Sequence, residues 1–378
     1  MKTTLALLLA TGLAAHAAQP ANPYLSLEQE MLQAIARGNA WLKEQQKPEG
    51  FWDTADLPAF TALALTAAVR DPALDPQAPL PEHLRKGFDW LVAQQKEDGG
   101  IYNRGLSVYN TATALTALTA LSGPNLKPYE AAAVKARRHL ISKQWDVESS
   151  DPNHGGIGYG SNEKESDLSN THLAIEALAL SQRLVEDGNY GDEPDLDWAA
   201  AIKFISRCQN HRATNDQEQF GNDGGFAYSP HQSKAGTEET DGRTTLRSYG
   251  SMSYAGLLSL IYAKLSPDDP RVKAVLDWAS KNYTVKENPG MGAEGLYYYY
   301  QAMSKALTAA NVDRLKLADG KQADWRDDLG RALLTRQREN GSWVNDNGRW
   351  MESNPALVTA YSVLALQQLC ASIPKKAE

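Results

Sequence analysis

The chain has 378 residues, of which 42% are apolar and 22% are charged, and its formal net charge is −8. Acidic and basic residues are interspersed, which argues against nucleic acid or an anionic membrane surface as the main partner. With only two cysteines, Cys208 and Cys370, a disulfide scaffold is excluded, so stability must come from a large packed core.

The first residues have the character of an export signal. Lys2 gives a positive start, residues 5–10 are apolar, and the small-x-small string "AHA" ends at Ala17. We therefore expect a signal peptide over residues 1–17, a short linker over 18–25, and an exported protein that is periplasmic or secreted. No later apolar run approaches the ~20 residues that span a bilayer, so no integral membrane segment is expected in the mature chain.

A short string that ends in glutamine, or in one case tyrosine, recurs along the rest of the chain. It reads "WLKEQQ" at 41–46, "WLVAQQ" at 90–95, "HLISKQ" at 139–144, "FISRCQ" at 204–209, "WASKNY" at 278–283 and "ALLTRQ" at 332–337. Recurrence at spacings of this size indicates a stacked or closed array of supersecondary units.

Each unit has the same internal plan. It begins with an amphipathic helix: in the second unit Leu84, Phe88, Leu91 and Val92 form one apolar stripe, so this helix is predicted to lie on the outside. A glycine-containing turn follows, because glycine suits the left-handed position that ends a helix. A second helix, apolar around its whole circumference and hence predicted to be buried, then covers 59–69, 111–121, 171–180, 253–263, 298–307 and 357–366.

The two ends of the array do not look like caps. The strings "QKPEGFW" at 46–52 and "QRENGSW" at 337–343 are the best copies of the glutamine–glycine–tryptophan pattern, whereas an open solenoid needs atypical polar ends. We therefore predict an all-α fold, an (α/α)6 toroid of six inner and six outer helices. It forms a single domain over residues 26–372, followed by a tail over 373–378.

The Q-x-x-x-G-x-W string resembles the QW motif of the squalene and oxidosqualene cyclases. "GNDGGFAYS" at 221–229, followed by "SYAGLLSLIYA", is similar to a repeat of the protein prenyltransferase β-subunits. The chain thus resembles the prenyltransferase/squalene-oxidase repeat superfamily over roughly residues 26–370. The resemblance implies that the second helices form an inner barrel. It also implies that the glutamine amide bonds a helix terminus while the tryptophan stacks beside it.

The residues that carry the known activities of this superfamily are missing here. The chain has no D-x-D-D string, which the cyclases use to protonate an alkene. The positions that match the prenyltransferase zinc ligands fall on Arg247, Tyr249 and Val358, so neither a metal nor a cofactor is expected. Cys208 and Cys370 lack the G-C-G-E-Q flanks of a complement-type thioester domain and are interpreted as small buried residues.

In such a ring the loops from outer to inner helix emerge at one end, beside a lumen that forms a natural pocket. These loops are rich in acids, arginines and aromatic residues, which could do acid–base work on a substrate held by stacking. The same residues could instead hold the long loops together through ion pairs and hydrogen bonds. His172 could likewise be a hydrogen-bonded core histidine. The catalytic candidates are Asp167, His172, Glu294 and Glu352, and the ligand-binding candidates are Tyr109, Arg243, Arg247, Tyr249, Tyr254, Tyr298 and Trp350.

Three functions remain open at this point. The superfamily resemblance favours a protein that binds, and converts, an isoprenoid in a deep apolar lumen. A glycan-binding or glycan-active protein would instead have a polar cleft with paired carboxylates. A non-enzymatic scaffold would have a lumen filled by side chains and would bind a protein partner on its loop face.

Overall fold

The computed structural model describes residues 23–160, 165–186, 190–240 and 242–374. The signal peptide expected over residues 1–17 and residues 375–378 of the tail lie outside the described residues. Twelve main helices follow one another along the described chain: α1 (Leu25–Gln45), α2 (Pro58–Val69), α3 (Glu82–Ala93), α4 (Ser107–Thr119), α5 (Glu130–Ile141), α6 (Leu168–Ser181), α7 (Trp198–Arg207), α8 (Gly250–Tyr262), α9 (Pro270–Asn282), α10 (Leu296–Ala309), α11 (Trp325–Leu334) and α12 (Pro355–Ser372).

The odd-numbered helices are amphipathic and the even-numbered helices are buried. Helix α3 buries only Leu84, Gly87, Phe88 and Leu91, which lie on one side. In contrast, every residue of Pro58–Ala67 in α2 is buried. These are the two helix types that the periodicity predicts, because a helix without a polar face must be covered all round.

The even-numbered helices form a closed inner ring. Each packs against the next even-numbered helix, and α12 packs against α2 to complete the circle. Helix α1 also packs against α11 and α12, so the first unit contacts the last one directly. At this junction Gln367 Nε2 donates to Ala67 O at 2.7 Å. The predicted all-α (α/α)6 toroid is confirmed.

The recurrent glutamine ties each unit to the next outer helix. Gln46 Nε2 donates to Gly50 O in its own turn at 2.8 Å and to His83 O in α3 at 2.9 Å. Gln337 makes the corresponding pair of bonds across the closure, to Gly341 O and to Ala34 O of α1, both at 2.9 Å. The other units that make both bonds contain Gln95, Gln144 and Gln209.

The tryptophan of the string contacts both its own unit and the next outer helix. Trp52 Nε1 donates to Leu42 O at 2.6 Å, and Trp343 Nε1 donates to Leu333 O at 2.8 Å. Both indoles are buried, and each ring lies against a glycine of the next outer helix, Gly87 of α3 for Trp52 and Gly38 of α1 for Trp343. The indole N–H thus satisfies a carbonyl near the end of the outer helix of its own unit, where carbonyls lack an intrahelical partner.

The glycine of the turn is required for two independent reasons. Gly155 has φ +80°, and a Cβ at this position would lie 2.1 Å from Ala200 O of α7. Only glycine accepts the left-handed backbone without cost and also leaves room for the neighbouring helix. The same combination of positive φ and close backbone occurs at Gly50, Gly99, Gly224 and Gly341.

The fifth unit departs from this plan. Tyr283 stands in place of the glutamine, and its hydroxyl donates to Asp328 Oδ2 of α11 at 2.8 Å. A small hairpin of β3 (Leu315–Lys316) and β4 (Gln322–Ala323) precedes α11. A longer hairpin, β1 (Thr237–Thr240) with β2 (Arg243–Leu246), lies in the loop before α8 and pairs Thr237 with Leu246.

None of the helices in the described part of the chain combines the length and the apolar character that crossing a bilayer requires.

Candidate functional site

The ring surrounds a continuous cavity of about 360 Å³ along its axis, to which all six even-numbered helices contribute side chains. This volume is within the range of small-molecule pockets. We call the end beside the N-termini of these helices the mouth; it is lined by Tyr159, Tyr228, Lys234, Trp350 and Met351. We call the opposite end, beside their C-termini, the polar end; it is lined by Arg70, Thr116, Glu176, Lys305 and Gln368.

Tyrosine rings dominate the half of the cavity nearer the mouth. The Tyr109 and Tyr361 hydroxyls lie 3.4 Å apart, and the Tyr298 and Tyr361 ring centroids are 6.1 Å apart. The Tyr228 and Tyr159 hydroxyls lie 3.3 Å apart. Burial raises the pKa of Tyr109, Tyr228, Tyr298 and Tyr361, so these four are neutral hydroxyls in the physiological range. The cavity wall nearer the mouth is therefore aromatic and carries several hydroxyl groups.

The middle of the cavity is mostly apolar, and Thr113 and Gln301 are the polar side chains that line it there. Leu63, Leu173, Met252 and Leu364 line it from four different inner helices. These side chains have no hydrogen-bonding groups, so this layer favours an apolar ligand segment.

The polar end contains a buried ion pair. Lys305 Nζ lies 2.6 Å from Glu176 Oε1 and 2.7 Å from Glu176 Oε2. Burial by itself would raise the pKa of Glu176, but the nearby positive charge of Lys305 holds the pKa below its usual value. Glu176 is therefore a carboxylate that stays ionised inside the ring.

Five of the residues proposed from the sequence line the cavity. They are Tyr109, Tyr249, Tyr298, Trp350 and Glu352. Tyr249 and Tyr298 begin neighbouring inner helices, while Trp350 and Glu352 come from the loop before α12. The structure thus brings together residues from the second, fourth, fifth and sixth units, as the ring architecture predicts.

Glu352 combines the two interpretations left open above. It lines the cavity, yet it is 1% exposed and its carboxylate accepts the backbone N–H of Tyr297 at 3.1 Å and of Tyr298 at 2.8 Å. Asn345 Nδ2 adds a third donor at 2.7 Å. Glu352 therefore caps the N-terminus of α10, where a negative charge is stabilised. Burial nevertheless raises its pKa.

Asp167 lies directly behind the wall. It is the N-cap of α6, and its carboxylate accepts the backbone N–H and the side-chain amide of Asn170, both at 2.8 Å. Burial raises the pKa of Asp167 to about 6, although hydrogen bonds from Asn170 and Tyr228 act in the opposite direction. Both of these partners line the cavity, so Asp167 is one residue removed from any ligand.

His172 is a core histidine that faces the buried ion pair. Its Nδ1 lies 3.2 Å from Ser259 Oγ, and its Nε2 lies 3.9 Å from Glu176 Oε2. Since the Ser259 hydroxyl donates to Ala255 O, we assign the imidazole proton to Nδ1. Burial lowers the pKa of His172 to about 4, so the ring is neutral at neutral pH.

The other four proposed residues do not line the cavity. Glu294 pairs with Arg349 at 2.5 Å on the rim, Tyr254 is buried against Tyr299 within the core, and Arg243 and Arg247 are exposed. The expectation that Arg243, Arg247 and Tyr254 form the mouth and wall is corrected here. The β1–β2 hairpin carries the first arginine away from the lumen, and Arg247 follows directly after it.

Several wall residues were not predicted from the sequence. Glu176 and Lys305 stand out because they are charged residues on helices that are otherwise apolar, and this signal could have identified both. Tyr159, Tyr228 and Lys234 belong to long loops whose path the sequence does not define. Lys234 Nζ lies 4.2 Å from the Tyr228 ring centroid, which places an ammonium over an aromatic face at the mouth.

Within the described residues, no three His, Cys, Asp or Glu side chains are grouped so that they could hold a metal ion. Cys208 is buried and Cys370 is partly buried, and both are free thiols. Burial raises the pKa of Cys208 well above its usual value, which makes it an unreactive core residue.

Comparisons with known proteins identify the fold and leave the activity open. No protein-family model and no curated relative matches the chain. A substituted form of the type II terpene cyclase MstE from Scytonema, in complex with geranylgeranyl dihydroxybenzoate, superposes with a TM-score of 0.54 at 14% identity. The match covers 92% of this chain and 99% of the cyclase.

A polysaccharide lyase superposes equally well, with a TM-score of 0.55 at 13% identity over 90% of this chain and 97% of the lyase. At such identities the likeness establishes a shared α/α toroid and nothing finer. The function must therefore be argued from the lumen itself.

Proposed function

We propose that the chain binds an elongated, largely apolar ligand of isoprenoid type in the lumen of the toroid. The observation that carries this proposal is the continuous cavity, with tyrosine rings toward the mouth and an aliphatic layer below them. Apolar walls favour a hydrocarbon chain, and tyrosine faces suit its double bonds or any positive charge that develops on it. The terpene cyclase that shares the fold holds a geranylgeranyl compound.

The lumen supports this proposal better than a rim-binding scaffold or a sugar hydrolase. A scaffold that binds only through its rim would have a lumen filled by side chains, whereas this lumen is open. Sugar hydrolysis needs two carboxyl groups that flank the substrate. Of the two carboxylates on this wall, Glu176 is neutralised by Lys305 and Glu352 is occupied by backbone N–H groups.

A second proposal is that the bound ligand is converted by proton transfer involving Asp167. Its pKa of about 6 allows it to exist in either protonation state near neutral pH. Tyr228, whose side chain lines the cavity, lies between this carboxyl group and the lumen. Asn170 also lines the wall, and its buried Oδ1 has no hydrogen-bond partner among the described residues, which leaves one acceptor for a ligand hydroxyl.

We also propose that the protein is exported after removal of residues 1–17, on the strength of the sequence pattern alone. Cell fractionation followed by N-terminal sequencing tests this directly. A mature N-terminus just after Ala17 in the exported fraction supports the proposal, and an intact N-terminus in the cytoplasm contradicts it.

Binding in the lumen can be tested by filling the lumen. Leu364 faces the aliphatic layer, whereas Leu25 is 56% exposed at the start of α1. Native mass spectrometry with geranylgeraniol should give a one-to-one complex with the unmodified protein and with Leu25→Trp. Leu364→Trp should bind at least about tenfold more weakly at a similar melting temperature. Equal binding by all three proteins would place the ligand outside the lumen and overturn the proposal.

A further inference from the structure

The polar end is chemically different from the rest of the lumen. Five of the six inner helices place a polar side chain there, namely Arg70, Thr116, Glu176, Lys305 and Gln368. Each of them follows another wall residue of the same helix by three or four positions, so all lie on the lumen face of their helices. A purely hydrocarbon ligand would offer these groups no hydrogen bond.

The charges at this end do not cancel. Lys305 contacts both oxygens of Glu176, so the pair is neutral as a unit. His172, which faces the same carboxylate, is also neutral. Arg70 remains, and its guanidinium has no hydrogen bond or ion pair with any residue that the structure describes. One positive charge is therefore available to a ligand.

This charge can be reached both from the lumen and from solvent. Arg70 is exposed at the C-terminal end of α2, and Thr116 and Gln368 beside it are half-buried. The Lys305 side chain is 17% exposed. A ligand group held here can therefore keep part of its hydration, which limits the desolvation cost of a charged group.

We propose that the ligand is an amphiphile whose acidic head group, a carboxylate or a phosphate, binds Arg70 at the polar end while its apolar tail extends along the lumen toward Tyr298. This inference rests on the proposed function and adds the head-group chemistry and the orientation of the ligand. The planar guanidinium matches either acid group, since it can donate two parallel hydrogen bonds. Thr116 and Gln368 supply further neutral donors.

One effect opposes an anion at this end. The inner helices end here, and their last carbonyl groups carry partial negative charge. That effect fades within one helical turn and is screened where solvent has access. A bidentate contact with Arg70 is direct and geometrically specific, so the attraction of Arg70 for the anion outweighs the repulsion from the helix termini.

The test compares three probes that share one tail: geranylgeranoic acid, geranylgeranyl monophosphate and geranylgeraniol. Dissociation constants are measured by isothermal titration for the unmodified protein, for Arg70→Gln, and for the control Arg85→Gln. Arg85 lies on the outer helix α3, where it pairs with Asp89 at 3.1 Å, far from the lumen wall. Comparing the carboxylate with the phosphate identifies which acid group is preferred.

We expect at least one acid to bind the unmodified protein about tenfold more tightly than the alcohol, and Arg70→Gln to remove this difference while binding the alcohol as before. Arg85→Gln should retain the full preference. Equal affinity for acids and alcohol in the unmodified protein would overturn the head-group inference and leave lumen binding intact. Failure of all three probes to bind would overturn the proposed function as well.

Discussion

At the periphery of the ring, five junctions between units share one set of hydrogen bonds, whereas on the lumen side each inner helix presents a different set of side chains. Gln46 and Gln337 make equivalent bonds at opposite ends of the chain. Glu176 on α6 and Lys305 on α10, for example, have no counterpart of the same type in the wall formed by the other inner helices. The repeated part serves closure of the ring, and the non-repeated part is where selection for a ligand can act.

The fifth unit shows how far the periphery can vary. Its junction to the sixth unit replaces the glutamine with Tyr283, which reaches Asp328 of α11 by a single hydrogen bond. The ring still closes, because α10 and α12 pack against each other. Closure therefore depends on the sum of the junctions and on inner-helix packing, so individual peripheral changes should reduce stability without altering the lumen.

The largest effect is expected in the lumen, at the buried ion pair. Lys305→Met removes the cation that neutralises Glu176, which is 2% exposed, and should destabilise the protein by about 3–5 kcal/mol. The double variant Glu176→Gln/Lys305→Met should recover most of this loss, since no uncompensated charge remains. Urea unfolding of both variants checks this, and an equally unstable double variant would contradict it.

At the periphery, Gly155→Ala should cost about 3 kcal/mol. The new Cβ would lie 2.1 Å from Ala200 O, and the backbone has φ +80°. Gly320→Ala is the matched control, because φ is +84° there and no atom lies within 4 Å of the added Cβ. The control should lose only about 1 kcal/mol. Similar losses in both variants would show that close packing of the junction is unimportant.

Loss of a single glutamine bond pair should have a smaller effect. Gln46→Ala removes two hydrogen bonds to backbone carbonyls and should cost about 2 kcal/mol. The neighbouring Gln45 is exposed, and Gln45→Ala should change stability by less than about 0.5 kcal/mol. Chemical denaturation distinguishes the two. Ligand affinity should be the same in both variants, because neither residue faces the lumen.

The smallest effect is the pH dependence of stability in the unmodified protein, to which Asp167 and His172 contribute in opposite directions. Asp167, with its pKa raised to about 6, lowers stability as pH rises from about 4 to 6, because the folded state then binds more protons than the unfolded chain. His172, with its pKa lowered to about 4, lowers stability as pH falls from about 6.5 to 4. In the unmodified protein the two effects should largely cancel.

Single substitutions should separate these two contributions. Asp167→Asn, which retains an N-cap, should make stability fall on acidification by up to about 1.4 kcal/mol per pH unit between pH 6.5 and 4. His172→Gln should make stability fall instead as pH rises through the same interval. Melting temperatures recorded across this interval test both, and parallel profiles for the two variants would show that these groups do not titrate as described.

The fold could be predicted from the sequence because the same helix–turn–helix pattern occurs in six units. Each unit needs an apolar stripe on its outer helix, a glycine in its turn and a mostly apolar inner helix, so periodicity predicts the two layers of helices. The absence of polar caps at the two ends then predicts that the array closes into a ring. The sequence revealed less of the lumen. Tyr109, Tyr249 and Tyr298 were found because they start or precede inner helices, where side chains must face the axis or the mouth.

The remaining wall residues depend on features that periodicity does not encode. Arg247 was expected at the wall, yet the hairpin before α8 leaves it on the surface while Tyr228 and Lys234 of the same loop turn inward. Arg70 lies at a helix C-terminus, where a basic residue ordinarily interacts with the last carbonyl groups and with solvent. Long loops and helix termini follow tertiary packing, so their residues could only be placed once the ring was known.

The central claim is that the lumen holds an elongated apolar ligand, and a crystal structure of the protein grown with geranylgeraniol tests it most directly. The account predicts continuous density along the ring axis, bounded by Tyr298 and Tyr361 above and by Leu63, Leu173 and Leu364 in the middle. Density for the ligand only on the outer surface, with the lumen unchanged, would contradict it.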